Sequence, residues 1–326
     1  MTRWGILATG YIAERFATDL RRAPGAELLA VGSRSAENAR AFADRHDVPR
    51  AYGSWDALAA DDDIDVVYVA PPHAAHLAAA LTCVRAGRAV LCEKPITLDR
   101  ASAATLVDAA RSAGVFLMEA MWTRCNPAVR RMLAMIDDGV IGRPTTVQAD
   151  FGLAGDFPPT HRLRAPDLGG GALLDLGIYP VTFAHLVLGA PDHIRAWSRI
   201  GPEGTDENTA MVFGYDSGAV AALTCGIVGA TPVAGTITGT QGRIEVPGFF
   251  HATGFTVHRA DGSTEVVDLG PEAGGYQHEA IEVQRCLDAG LVESPLVPHD
   301  TTLEVMGLLD AVREQVGVTY PAAAVS

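Results

Sequence analysis

No Cys-x-x-Cys pair occurs in this 326-residue chain; its five cysteines, Cys83, Cys92, Cys125, Cys225 and Cys286, are scattered and odd in number. That argues against a disulfide framework or a zinc knuckle and leaves buried free thiols in a reducing compartment. Basic charge is scarce too: 25 Lys and Arg stand against 39 Asp and Glu, a net charge of -14. Nucleic acid or an anionic membrane would call for a basic face, so neither is expected as a partner. The apolar run after Arg3 is too short for a secretory signal, and the expected location is the cytoplasm. Charge is missing altogether from residues 217–242, yet Gly218, Gly226, Gly229, Pro232, Gly235 and Gly239 interrupt them, with threonines between. Such a stretch suits strands and turns of a soluble protein, not a lipid-facing helix. Internal repeats and low-complexity segments are absent as well.

What is present is a two-part rhythm. Residues 3–121 alternate short β runs (4–8, 27–33, 65–70, 89–94, 116–120) with helical patterns such as 12–23, 35–46 and 98–113. The runs at 65–70 and 89–94 are almost continuously apolar, as parallel strands covered on both faces are. This alternation predicts a doubly wound α/β domain over 1–121. From 122 to 326 the rhythm changes. A helix at 128–138 and a strand near 145–152 precede the loop "DFPPTHRLRAPDLGGG" and a helix at 172–187. Strands and turns then fill 194–267, and helices at 277–289 and 301–315 close the chain. Strands without helices between them predict an α+β domain built on an antiparallel sheet. Helices on one side would leave the other face of that sheet to a second copy, so a homodimer or higher homo-oligomer is expected.

The first β run leads into Ala8-Thr9-Gly10-Tyr11-Ile12-Ala13. This is a G-x-G-x-x-G/A dinucleotide fingerprint with alanine at the first glycine. Gly10 would let the backbone approach a pyrophosphate, and Ala13 would allow close helix–strand packing. Ala8 is tolerable there if it keeps an ordinary negative φ. Residues 8–12 are therefore the candidate phosphate-binding turn, ahead of a helix whose first N–H groups favour anions. The second β run ends in Ser33-Arg34, with no acid at the tip. NAD sites place Asp or Glu there, whereas a hydroxyl and a guanidinium suit a 2′-phosphate, so NADP is favoured and NAD remains possible. Arg34 is otherwise a solvated loop arginine.

Further along, Glu93-Lys94-Pro95 puts a lysine at the carboxyl end of a parallel strand, where open α/β sheets bind ligands. Lys-Pro also permits a cis bond. "DLGGGALLDLGIYP" sets Asp175 and Tyr179 four apart, on one face of a helix that follows three glycines. A carboxylate and a phenol facing an ammonium make an acid–base set. The pair His73 and His76 has no third ligand, and no metal is expected. His185 reads as structural, while His161, Arg162 and Arg164 are open between substrate contact and solvated loop charge.

Gly10 with Ile12-Ala13, "APPHAAH" at 70–76, Glu93-Lys94-Pro95 and "GGGALLDLGIYP" at 169–180 occur in an order that resembles the Gfo/Idh/MocA oxidoreductases. The resemblance spans nearly the whole chain. It implies an α/β Rossmann N-terminal domain and an α+β C-terminal domain with a large open, mostly antiparallel sheet. Tyr179 and "MEAMWTR" at 118–124 are similar to the branch of dimeric dihydrodiol dehydrogenases and NADP-linked D-xylose dehydrogenases, as is the missing first glycine at Ala8. Carried over to this chain, the resemblance makes Lys94 and Tyr179 catalytic with Asp175 in support. It also lines the nicotinamide side with Pro71, His76 and Glu93.

An unperturbed phenol has a pKa of about 10. A neighbouring ammonium favours its ionised form, which is what a base at neutral pH requires. Trp122, Phe151 and Tyr276 are expected to wall a pocket for a small ring substrate, again through the resemblance; Trp122 and Phe151 otherwise belong to the core. The implied activity is NADP-dependent oxidation or reduction of a sugar, vicinal diol or small dicarbonyl. A non-catalytic NADP-binding regulator and a cofactor-retaining glycosidase stay open as alternatives.

Overall fold

The computed structural model describes residues 1–321. They form two compact units, one of Met1–Met121 with Tyr276–Leu303, the other of Trp122–Gly275 with Glu304–Pro321. Along the chain the elements run β1 (Thr2–Leu7), α1 (Tyr11–Leu20), β2 (Ala26–Gly32), α2 (Ala36–His46), β3 (Arg50–Tyr52), α3 (Trp55–Ala59), β4 (Val66–Val69), α4 (His76–Arg85), β5 (Ala89–Glu93), α5 (Arg100–Ala113) and β6 (Leu117–Ala120). There follow α6 (Trp122–Cys125), α7 (Pro127–Asp137), β7 (Pro144–Gly152), α8 (Ile178–Leu188), β8 (His193–Ile200), β9 (Asp206–Gly214) and β10 (Val220–Gly226). The chain closes with β11 (Ala234–Gly239), β12 (Gly242–Pro247), β13 (Gly254–Arg259), β14 (Thr264–Asp268), α9 (Gln277–Asp288) and α10 (His299–Val316).

In the first unit six parallel strands lie in the order β3-β2-β1-β4-β5-β6. Strand order reverses between β1 and β4, the crevice where doubly wound sheets hold nucleotides. Every residue of β4 and β5 is buried, which is why both read as almost continuous apolar runs, broken only by Glu93 at the end of β5. Helix starts are written in side chains: Ser35, Ser54 and Asp99 accept the N–H groups of Asn38, Ala57 and Ser102.

The sequence boundary assigned all of 122–326 to one domain, whereas Tyr276–Leu303 cluster with the first unit. The cause is long-range pairing. Helix α9 lies against α1, and the Leu117 N–H donates to the Val292 carbonyl at 3.1 Å. His299 Nε2 sits 2.8 Å from the Leu117 carbonyl, and the Thr302 hydroxyl donates to Glu119 Oε2 at 3.1 Å.

The second unit holds eight strands in the order β14-β13-β12-β11-β7-β10-β9-β8, antiparallel except for the β7–β10 pair. The uncharged 217–242 stretch supplies β10 and β11. Helix α8 packs on β7 and β10 from one side. On the opposite face Trp197 is 70% exposed and Val212 49%, with Val220 and Val266 also open. Pro166–Leu188 is, among the described residues, the one helical stretch long and apolar enough to cross a bilayer, and most of it is buried in the fold. All five cysteines are free and buried.

Candidate active site

Strand β1 runs into α1 through Ala8-Thr9-Gly10. Ala8 does not keep the negative φ expected of it; its φ is 106°. The turn from strand to helix imposes a conformation that usually selects glycine, and here an alanine bears it. Ala8→Gly is therefore expected to raise stability by about 1 kcal/mol. A denaturant midpoint that falls instead would show the turn to be unstrained.

Gly10 is the N-cap of α1, and no side chain caps that helix. A Cβ built on Gly10 meets nothing within 4 Å, so packing within the protein does not explain the glycine. Open space over uncapped N–H groups fits a dinucleotide pyrophosphate. Ser33, at the tip of β2, is buried, its hydroxyl accepting the Ser35 N–H at 3.3 Å. Arg34 is exposed and holds its guanidinium 5.7 Å over the centroid of Trp55, at the start of α3. The tip thus presents a stacked cation and no carboxylate, which fits the 2′-phosphate of NADP.

Lys94 follows β5 and is the only lysine of the chain. The loop around it is tied on every side. The Lys94 N–H donates to Glu93 Oε2 at 3.1 Å, and Tyr68 donates its hydroxyl to Glu93 Oε1. The Lys94–Pro95 bond is cis, and the next N–H, of Ile96, donates to Glu119 Oε1 at 3.0 Å. His76 is 1% exposed, with Nδ1 2.8 Å from the Pro95 carbonyl and Nε2 2.9 Å from that of Pro71. Burial pushes its imidazole down to about 3, so the ring is neutral and donates to one carbonyl only. Both ring nitrogens face backbone, so His76 ties the Pro71 loop to the Lys94 loop and does not offer a side chain to a ligand. His73 packs edge-on against it, and among the described residues no cluster of three His, Cys, Asp or Glu could hold a metal ion. Glu279 on α9, unremarked in the sequence, is fully buried with both oxygens unbonded; burial, and then Glu93, push its carboxyl well above the usual range.

In the second unit the helix expected over 172–187 is not regular: Leu173–Gly177 form a π turn before α8 begins at Ile178. Such turns recur at functional sites, and this one carries Asp175 and leads into Tyr179. Both are nearly buried. Arg162 pairs its Nη1 with Asp175 Oδ1 at 2.9 Å. The Tyr179 oxygen accepts the Trp122 indole N–H at 3.0 Å. Aromatic rings surround it: Phe151 lies 5.5 Å and Phe250 5.3 Å from the Tyr179 ring, and Phe250 also meets Trp122 at 5.6 Å.

Phe151 is thus a ring neighbour of Tyr179, and Trp122 its hydrogen-bond partner. Phe250 and His251 join this ring cluster, and the only sign of them in the sequence is the Phe249-Phe250 pair after Gly248. Tyr276 belongs to the first unit, where its N–H donates to Asp19 Oδ2 at 2.9 Å ahead of α9. Arg164 bonds Glu203 and Glu207 at 2.8 and 3.0 Å, a structural commitment. His161 turns its Nδ1 toward the Leu163 N–H at 3.2 Å, and His185 bridges Arg124 and Glu304.

Residues 2–121 match a family model described as an oxidoreductase family with an NAD-binding Rossmann fold, and residues 129–245 match the GFO/IDH/MocA C-terminal domain. The sequence is 37% identical over 333 residues to trans-1,2-dihydrobenzene-1,2-diol dehydrogenase of Bos taurus, covering 98% of each chain. It is 37% identical over 330 residues to the Danio rerio enzyme of the same name, again covering 98% of each. A 3-ketoreductase of Actinomadura kijaniata, solved in complex with NADP and TDP-benzene, superposes with a TM-score of 0.86 at 29% identity, over 97% of this chain and 98% of that one. An aldose-aldose oxidoreductase of Caulobacter crescentus, at TM-score 0.88 and 22% identity over 97% of each chain, shares the fold. With both halves matched and relatives aligned end to end, the chain belongs to the Gfo/Idh/MocA oxidoreductases.

Proposed function

We propose that the protein is an NADP-dependent dehydrogenase or reductase acting on a CH–OH group of a vicinal diol, a sugar or a small dicarbonyl. The observation that carries this is the Tyr179 phenol, set among aromatic rings with an indole N–H on its oxygen and Asp175 in the preceding turn. Relatives named for a cyclic diol and a neighbour holding NADP support the substrate class and the cofactor. When bound, the nicotinamide accepts or gives hydride at the substrate carbon. The chain's own residues handle the proton. Tyr179 takes it from the hydroxyl in oxidation and returns it in reduction, and the N–H from Trp122 favours the ionised phenol. Lys94 supplies the ammonium to the substrate oxygen, and Asp175 orients the hydroxyl. Trp122 and Phe151 accept the apolar face of a ring substrate.

Net reduction of NADP by a panel of cyclic diols and sugars tests the reading. A regulator would show no turnover, and a cofactor-retaining glycosidase would show hydrolysis without net NADPH. Cofactor choice rests with Ser33 and Arg34. Arg34→Ala is expected to raise KM for NADP by about tenfold, roughly 1.5 kcal/mol, while hardly changing that for NAD. Trp55→Ala, which removes the ring under the guanidinium, is expected to give a smaller loss of about 0.5–1 kcal/mol in the same direction. Equal losses for both cofactors from Arg34→Ala would sink the assignment.

The protein acts as a homodimer in the cytoplasm, where free buried thiols are at home. The exposed face of the second unit's sheet, with Trp197 beside Ala210 and Val212, is the surface that a second copy would cover. Light scattering is expected to give a dimer mass at micromolar concentration, and Trp197→Arg to give a monomer. A wild-type monomer under those conditions would remove this part of the reading.

A further inference from the structure

The turn ahead of Asp175 and Tyr179 is held from beneath by groups that the proposed chemistry does not use. Asp206, the first residue of β9, is fully buried. Its Oδ2 accepts the Leu173 N–H at 2.7 Å and the Thr209 hydroxyl at 2.8 Å, while its Oδ1 has no hydrogen-bond partner. Leu173 is the first residue of the π turn, whose opening N–H groups have no partners of their own within the turn. A carboxylate is the strongest acceptor available to such a group. Tyr320, beyond α10, donates its hydroxyl to the Gly170 carbonyl at 2.6 Å, and the Arg313 guanidinium lies 5.2 Å over its ring. Both supports meet at Gly171. A Cβ there would fall 2.3 Å from Asp206 Oδ1 and 3.1 Å from the Tyr320 oxygen. The Gly171 N–H itself donates to the Leu163 carbonyl at 2.8 Å. Three points of one short backbone stretch are therefore fixed from below.

Burying a carboxyl with one oxygen unbonded is unfavourable, and a plain apolar contact would have filled the space without that cost. We infer that Asp206 and Tyr320 are positioning residues: through Leu173 and Gly170 they set where the π turn holds the Asp175 carboxylate and the Tyr179 phenol for proton transfer. The inference rests on the acid–base role proposed for Tyr179 and adds a control on it. Burial pushes the Asp206 carboxyl up to about 6, so it is ionised above that pH and neutral below. The titratable or charged groups around it are Arg313 from α10, Tyr320, and the Cys225 thiol from β10. Protonation weakens both hydrogen bonds that Oδ2 accepts, so the grip on Leu173 relaxes as pH falls through 6.

The test uses the full chain with Tyr320→Phe, which loses one hydroxyl, and Asp206→Asn, which keeps an acceptor oxygen and loses the charge. Each is expected to lower kcat by about tenfold, as displacement of a reacting group does, with the Kd for NADPH unchanged. The wild type is expected to lose kcat as pH falls below about 6, and in Asp206→Asn that loss should disappear. A second readout needs no substrate. The Trp122 indole N–H, assigned by its disappearance in Trp122→Phe, reports the Tyr179 oxygen it bonds, and its NMR signal should move in both variants. An unmoved indole signal with kcat within twofold of wild type overturns the inference. So does a loss of kcat that only parallels a loss of folded protein. Should Tyr179→Phe itself stay active, the acid–base reading fails, and the indole signal still decides whether Asp206 and Tyr320 position the phenol.

Discussion

Tyr179→Phe is expected to lower kcat by about 10²–10⁴, the range of general acid–base groups, and to leave NADPH binding intact. The substitution is conservative in space. Phenylalanine keeps the ring contacts to Phe151 and Phe250 and removes only the oxygen that accepts the Trp122 N–H. Leaving that N–H unpaired costs about 1–3 kcal/mol of stability at most, so the variant should fold. Lys94→Ala is expected to fall in the same range of about 10²–10⁴. In the proposed reaction the two groups act as one unit on the substrate hydroxyl, so the double variant should be far less impaired than the product of the two losses. Steady-state kinetics with fluorescence titration of NADPH separates the terms. A near-normal kcat in Tyr179→Phe, or multiplicative losses in the pair, would falsify the assignment.

Gly171→Ala is expected to cost about 3 kcal/mol or more in stability. At φ 117° a side chain is strained, and here it would also land 2.3 Å from a buried carboxylate oxygen. Relieving the overlap means displacing Asp206 and giving up its bonds at 2.7 and 2.8 Å. The melting temperature should drop by roughly 6 °C or more. Gly218, in the same unit, also has positive φ (84°) but open space around it, so Gly218→Ala isolates the backbone part at about 1–2 kcal/mol. Equal losses at the two positions would mean that the contact with Asp206 contributes nothing.

The strands that read most clearly in the sequence are those buried on both faces. β4, and β5 up to Cys92, are apolar because helices cover them on both sides, and apolarity is visible without a structure. β3, of three half-buried residues, carries no such pattern. The π turn was also invisible: "LLDLG" is as apolar as a regular helix, and only the backbone distinguishes them. At Ala8 the expected negative φ does not hold, because the turn sets φ whatever residue fills it. Partners distant in sequence were beyond reach. Nothing in spacing pairs Trp122 with Tyr179, Arg162 with Asp175, or Thr302 with Glu119. Sequence thus marks the residue types a site needs; the fold decides which of them meet.

A chain whose one lysine is Lys94 is, chemically, a protein with a single addressable ε-amine. The other 24 side-chain cations of the Lys and Arg class are guanidinium groups, inert to aldehydes and active esters. Reductive methylation with ¹³C-formaldehyde would therefore label that amine and, besides it, only a terminal α-amine. Its methyl resonance would follow the ionisation of this one group as ligands are added, with no assignment problem. The same arithmetic warns against coupling the protein to a surface through lysines, because the attachment would be made at the residue proposed for catalysis.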